Sequence, residues 1–182
     1  IMNRIRKAAL AVSGVVAACG LVILPTTQPA NAAACHTTWG SQAKTSGPLT
    51  TDRVTATRVG KHTCYDRLAI DLSSGAVPGY NARYVPRCIA EGSGATLPMR
   101  TASVIQITVK ANAAGSFPAR KTDLNNLSGF SVFRQLRGAG SFEGYTQLCL
   151  ANRARLPFRV FKTTNPVNHH GILVIDVAHS WA

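Results

Sequence analysis

The stretch Cys64-Tyr65-Asp66-Arg67-Leu68-Ala69-Ile70-Asp71-Leu72 repeats its polarity every second residue. Leu68, Ile70 and Leu72 fall on one face, and Arg67, Ala69 and Asp71 on the other, as in a strand with one side against a core. Arg53–Val59 precedes it as a first strand, and Tyr80–Ile89 follows beyond a turn at 75–79 that holds Pro78. Ser103–Lys110 has Ile105, Ile107 and Val109 in phase. Phe130–Leu136, Phe142–Leu150, Phe158–Thr163 and Ile172–Ala178 bring the number to about eight. Glu91-Gly92-Ser93-Gly94 reads as a turn, and 111–126, with Gly115, Pro118 and Asn125-Asn126, as a long surface loop. No run of about ten residues has a helical period with caps. The expected class is therefore all-β: an antiparallel β-sandwich, with a partly closed barrel as the alternative.

A chain of 182 residues with 46% hydrophobic content excludes a large multidomain enzyme and an intrinsically disordered chain. Its first segment reads as an address. Arg4, Arg6 and Lys7 precede an uncharged run from Ala8 to Leu24, shorter than the ~20 residues a bilayer core needs. Ala30-Asn31-Ala32 fits a signal-peptidase site. The expected organisation is a signal peptide at 1–32, an extended N-terminal segment at 33–52 and a β-sandwich domain at 53–182, with no stable membrane span after processing. Val16-Ala17-Ala18-Cys19 also resembles a lipoprotein box, but apolar residues continue to Leu24 where a polar tether is usual, so the later cleavage is preferred. Loss of Arg4, Arg6 and Lys7 from 20 basic residues leaves 17 against seven acids, a mature charge of +10.

Beyond the leader stand Cys35, Cys64, Cys88 and Cys149, an even number that suits two disulfides in an exported chain. Three connectivities are open. Cys35–Cys64 with Cys88–Cys149 is the expected one, because the first bridge would staple the N-terminal tail to the first strands. No Cys-x-x-Cys supports a zinc ribbon or a redox-active pair.

Several segments together resemble a known family. They are Cys64-Tyr65-Asp66-Arg67-Leu68-Ala69-Ile70-Asp71, Pro78-Gly79-Tyr80-Asn81-Ala82-Arg83-Tyr84-Val85, Gly140-Ser141-Phe142-Glu143-Gly144, Pro157-Phe158-Arg159-Val160-Phe161 and Leu173-Val174-Ile175-Asp176-Val177-Ala178-His179. In this order, across about residues 53–179, the chain resembles the AMIN-like domain of exported bacterial proteins, a relative of the AMIN domain that accompanies cell-wall amidases. The resemblance implies two facing sheets and a non-catalytic role in placing exported proteins on peptidoglycan.

The candidate site residues each have a plainer reading. Asp66 and Arg67 suit a carbohydrate-reading face, or an ion pair that orders the strand entrance. Glu91, Glu143, Asp71 and Asp176 would be the acids of a glycosidase pair, but no motif for an activated nucleophile accompanies them and no catalytic residue is assigned. His36, His62, His169, His170 and His179 lack metal-ligand spacing; His169-His170 reads as a hairpin turn, and no metal or cofactor is expected. Tyr80, Tyr84 and Tyr145 suit stacking on sugar rings or burial in a sheet.

The basic residues carry the strongest signal. Twelve of the 17 mature cations are Arg, whose planar fork suits carboxylates and phosphates. Arg83 and Arg87 are four apart on the expected third strand, in phase with Asn81. Arg153, Arg155 and Arg159 cluster around the last loops, and Arg134 and Arg137 lie nearby. A solvated basic surface is the alternative. Nucleic acid is the usual partner of such charge, but export turns the expectation to a cell-wall glycan or anionic wall polymer. The alternative function is a secreted protein-binding module, an inhibitor or partner of a wall-associated enzyme.

Overall fold

A computed structural model describes residues 35–115, 117 and 123–181. The expected signal peptide and Cys19 lie outside the described residues. Twelve strands form: β1 (Lys44–Ser46), β2 (Arg53–Lys61), β3 (Tyr65–Leu72), β4 (Tyr80–Val85), β5 (Cys88–Ile89), β6 (Thr96–Leu97), β7 (Ser103–Val109), β8 (Asn112–Ala113), β9 (Phe133–Phe142), β10 (Tyr145–Asn152), β11 (Phe158–Thr164) and β12 (Gly171–Ala178). Eight of them have six residues or more, matching the expected number; the rest have two or three. The class is all-β, with no helix among the described residues.

Two five-stranded sheets carry the architecture, in the orders β1-β4-β7-β10-β9 and β11-β12-β3-β2-β8, with β5-β6 as a separate hairpin. Neither closes into a barrel, and every pairing is antiparallel except β2 with β8. The period-two pattern of β3 explains the sandwich. Leu68, Ile70 and Leu72 face inward beside Ile175 and Leu173 of β12, opposite Ile105, Ile107, Leu148 and Leu150 of the first sheet, in one buried cluster. A side chain such as Leu or Ile taken fully out of water contributes about 1.5–3 kcal/mol, so this layer drives folding.

The outer side of the first sheet is covered as well. Pro86 interrupts the expected Tyr80–Ile89 strand, since a proline lacks the ladder donor. The chain leaves at 86–87 and returns as the β5-β6 hairpin over Val104, Ala139, Cys149 and Ala151. Gln106 Oε1 accepts from Ile89 N at 3.2 Å, Gln147 Nε2 donates to Ile89 O, and Glu91 N donates to Ala139 O at 2.6 Å. Arg87 therefore lies outside the strand, and the expected shared face of Arg83 and Arg87 is not formed.

The expected strands at 130–136 and 142–150 are also displaced. β9 runs through Gly138-Ala139-Gly140 with a bulge there and turns at Glu143-Gly144, both at positive φ (46° and 88°). Such a two-residue turn matches the right-handed twist of a hairpin.

The disulfides are Cys35–Cys64 and Cys88–Cys149, as expected. The first holds the N-terminal segment at the β2–β3 corner; β1 then pairs with β4, so the segment joins both sheets. The second fixes the β5-β6 hairpin. They span 29 and 61 residues, worth about 3.5 and about 4 kcal/mol in the loop-entropy account. Replacing both Cys88 and Cys149 by alanine is expected to cost more stability than the same change at Cys35 and Cys64, because it also frees a hairpin from a buried apolar face. Thermal unfolding of the two double variants checks that order.

Candidate binding face

The register across the second sheet aligns Arg159 of β11, Asp176 of β12 and Arg67 of β3 in one row on the outer face. Asp176 is fully buried between the two guanidinium groups. Arg67 Nε donates to Oδ1 at 2.7 Å and its Nη2 to Oδ2 at 2.9 Å. Arg159 Nε donates to Oδ2 at 2.9 Å, with Nη2 at 2.8 Å from the same oxygen. The Asp176 hydrogen bonds raise the pKa of Arg67, more than burial lowers it, so this group stays cationic. Two cations about one anion leave the row with a net positive charge.

Aromatic rings flank both cations. Tyr65 stands two residues before Arg67 and Phe161 two after Arg159, hence on the same face. The Arg67 guanidinium carbon is 5.2 Å from the Tyr65 centroid and 5.3 Å from that of Phe161. Arg159 lies 4.4 Å from Trp39 and 5.0 Å from Phe161. Trp39 meets Tyr65 edge to face at 5.7 Å, and His62 stacks on Tyr65 at 4.4 Å. These contacts are in cation–π range and fix the guanidinium planes. Neither Nη1 group has an acceptor among the described residues, and the side chains are 29% and 40% exposed. The face therefore offers oriented, charged donors to an anion.

The other expected site residues lie elsewhere. Asp66 and Arg67 point to opposite sides of β3, so the expected pair at the strand entrance is not made. Asp66 is fully buried, which removes it from any ligand-reading surface. Its Oδ2 accepts from Val132 N at 2.6 Å and Phe133 N at 3.2 Å, and its Oδ1 is 3.0 Å from His179 Nε2. Arg153 donates to His179 O. Arg155 donates to Ser41, and its guanidinium lies over Tyr84. Arg83 is exposed on the outer side of the first sheet, with Arg87 exposed at the base of the hairpin. The arginines thus divide between the two sides of the sandwich and form no single face.

Asp71 pairs with Arg58 at 2.6 Å, and Glu143 sits in the hairpin turn. His169, at φ 57°, lies with His170 in the β11–β12 turn. Tyr80 packs into the core, and the Tyr84 hydroxyl is bonded to Leu156, so neither ring is set out for stacking on a sugar. No group of three His, Cys, Asp or Glu among the described residues is arranged to hold a metal. Trp39, Tyr65, His62 and Phe161 are the residues that sequence reasoning misses. Two of them were within reach, as Tyr65 and Phe161 share the phase of Arg67 and Arg159.

The AMIN-like domain model matches residues 52–179. The chain belongs to the AMIN-like domain family. The match begins at Asp52, whose buried Oδ1 accepts from Arg53 N, Ser73 N, Ser73 Oγ and Ser74 N, and ends at His179, which closes on Asp66. The AMIN-like domain thus spans all three of the row's charged residues. Its family points to a cell-wall-related binding module of the non-catalytic kind found in exported cell-wall proteins. Among the described residues no helix is long and apolar enough to cross a membrane. No curated protein and no solved structure matches the chain.

Proposed function

We propose that this protein is an exported, non-catalytic module that attaches to peptidoglycan or an anionic cell-envelope polymer through Arg67 and Arg159. The observation that supports this is the pair of guanidinium groups held by one buried carboxylate and flanked by Trp39, Tyr65 and Phe161. A carboxylate or phosphate group on the polymer meets the unspent Nη1 edges, and the apolar rims of the rings receive sugar carbons. Arg153 lies at the same end of the sheet and adds charge at longer range.

The test is retention of the disulfide-bonded protein on purified walls. Binding is expected at low salt and is expected to weaken as ionic strength rises through a few tenths molar, where the Debye length falls well below 10 Å. The double variant Arg67→Gln/Arg159→Gln is expected to lose retention by at least about tenfold, since one charge-assisted hydrogen bond is worth ~1.5–3 kcal/mol. No retention of the unaltered protein at low salt would overturn the reading.

A further inference from the structure

A pocket of about 450 Å³ opens where the end of β4 meets the start of β7 and the β10–β11 loop. It is lined by Tyr84, Val85, Pro86, Ala102, Ser103 and Arg155, with no acid among them. This volume is in the range of small-ligand sites, and an apolar lining with a few polar groups is their usual composition.

One of its polar groups is fixed but not fully used. The Arg155 guanidinium lies 5.0 Å from the Tyr84 ring centroid. Its Nε donates to Ser41 Oγ at 3.1 Å and its Nη2 to Ser41 O at 3.2 Å, which leaves Nη1 without an acceptor among the described residues. No carboxylate of the described residues pairs with it. The Ser103 hydroxyl is buried against the Tyr84 hydroxyl and lies out of a ligand's reach. Its neighbour, the Tyr84 hydroxyl, is already committed: it accepts from Leu156 N at 2.9 Å and donates to Leu156 O at 3.0 Å.

We infer that this pocket binds a small apolar group that ends in a carboxylate. The carboxylate takes the Arg155 Nη1 edge, and the apolar part lies on Val85, Pro86 and Ala102. A phosphate monoester fits less well, because its third oxygen and second charge would face apolar walls with no donor. The carboxylate has two possible sources: the C-terminus of a peptide or a free aliphatic acid.

Acetyl-alanyl-alanine and hexanoate are the two probes, each beside its primary amide, titrated into the disulfide-bonded protein and followed by amide chemical shifts. Saturable shifts at 84–86 and 102–103 are expected with at least one acid, and affinity at least tenfold lower for its amide. Tighter binding of the dipeptide identifies a chain terminus; equal or tighter binding of hexanoate identifies a free acid. Either supports the inference. Arg155→Gln is expected to weaken the acid at least tenfold, and Ala102→Phe to block it by filling the pocket. Absence of binding by both acids at millimolar concentration would overturn the inference, as would unchanged binding in both variants. The Arg67→Gln/Arg159→Gln protein should keep this binding whether or not it still adheres to walls, so the two sites are tested separately.

Discussion

Asp66→Ala is expected to destabilise the domain by about 3–5 kcal/mol, the range for leaving buried charged-group contacts open. The carboxylate lies inside the sandwich, where it accepts from two consecutive amides, Val132 N and Phe133 N, at the entrance of β9. Its other oxygen receives His179, which follows β12. One side chain of β3 thus ties the second sheet to the start of the first sheet's edge strand and to the end of the last strand. Alanine would leave two amide donors without acceptors in an apolar setting, and no rearrangement of a methyl group can replace them. Asn keeps one acceptor oxygen, so Asp66→Asn is expected to cost about half as much. His179→Ala, which removes one contact from a ring that is 21% exposed, is expected to cost least. Urea unfolding reads the order directly, with a midpoint shift of roughly 2 M for the alanine variant. A loss below about 1 kcal/mol for Asp66→Ala would show that the β9 entrance is held by something else.

The fold was legible in the chain to the extent that it follows from alternation. β3, β7, β11 and β12 each carry a period-two or continuous apolar signal bounded by turn residues, and their observed limits lie within a residue or two of those expected. The errors came where non-local contacts override local pattern. Gly138 and Gly140 look like strand breakers, yet β9 passes through them because the bulge offers the Ala139 carbonyl to the β5-β6 hairpin. The break at Pro86 is a local signal, but the return of the chain over the first sheet is not. Within the proposed binding face, Arg67 and Arg159 are visible as basic residues on strands. Their convergence on Asp176 depends on the β11–β12–β3 register, which no single segment encodes. Trp39 is further from reach still, since its position depends on the Cys35–Cys64 bridge and on the Phe158 N to Gly40 O bond. Asp66 misleads for a related reason: next to Arg67 in sequence, it faces the opposite side of the strand.

Asp176→Asn separates two accounts of how the proposed binding face would work. Stability is expected to fall by about 2–3 kcal/mol, less than for Asp66, because Arg67 and Arg159 keep 29% and 40% exposure and water screens part of their repulsion. The effect on binding is the more informative result. Loss of the carboxylate raises the positive charge of the row, so an attraction governed by charge alone would leave retention on walls unchanged or improve it at low salt. A site that works by orientation behaves in the opposite way. Asp176 holds the Nε edge of each guanidinium and turns its Nη1 edge outward, and an amide that can accept at only one atom cannot hold both planes. Free rotation of two long side chains then costs about 0.5–1.5 kcal/mol each when a ligand is bound. Retention by Asp176→Asn is therefore expected to fall about five- to tenfold despite the added charge. The salt dependence should persist, because the two cations remain. Stronger retention than the unaltered protein would mean that the row acts as a diffuse positive patch, and the aromatic flanks would then have no part in recognition.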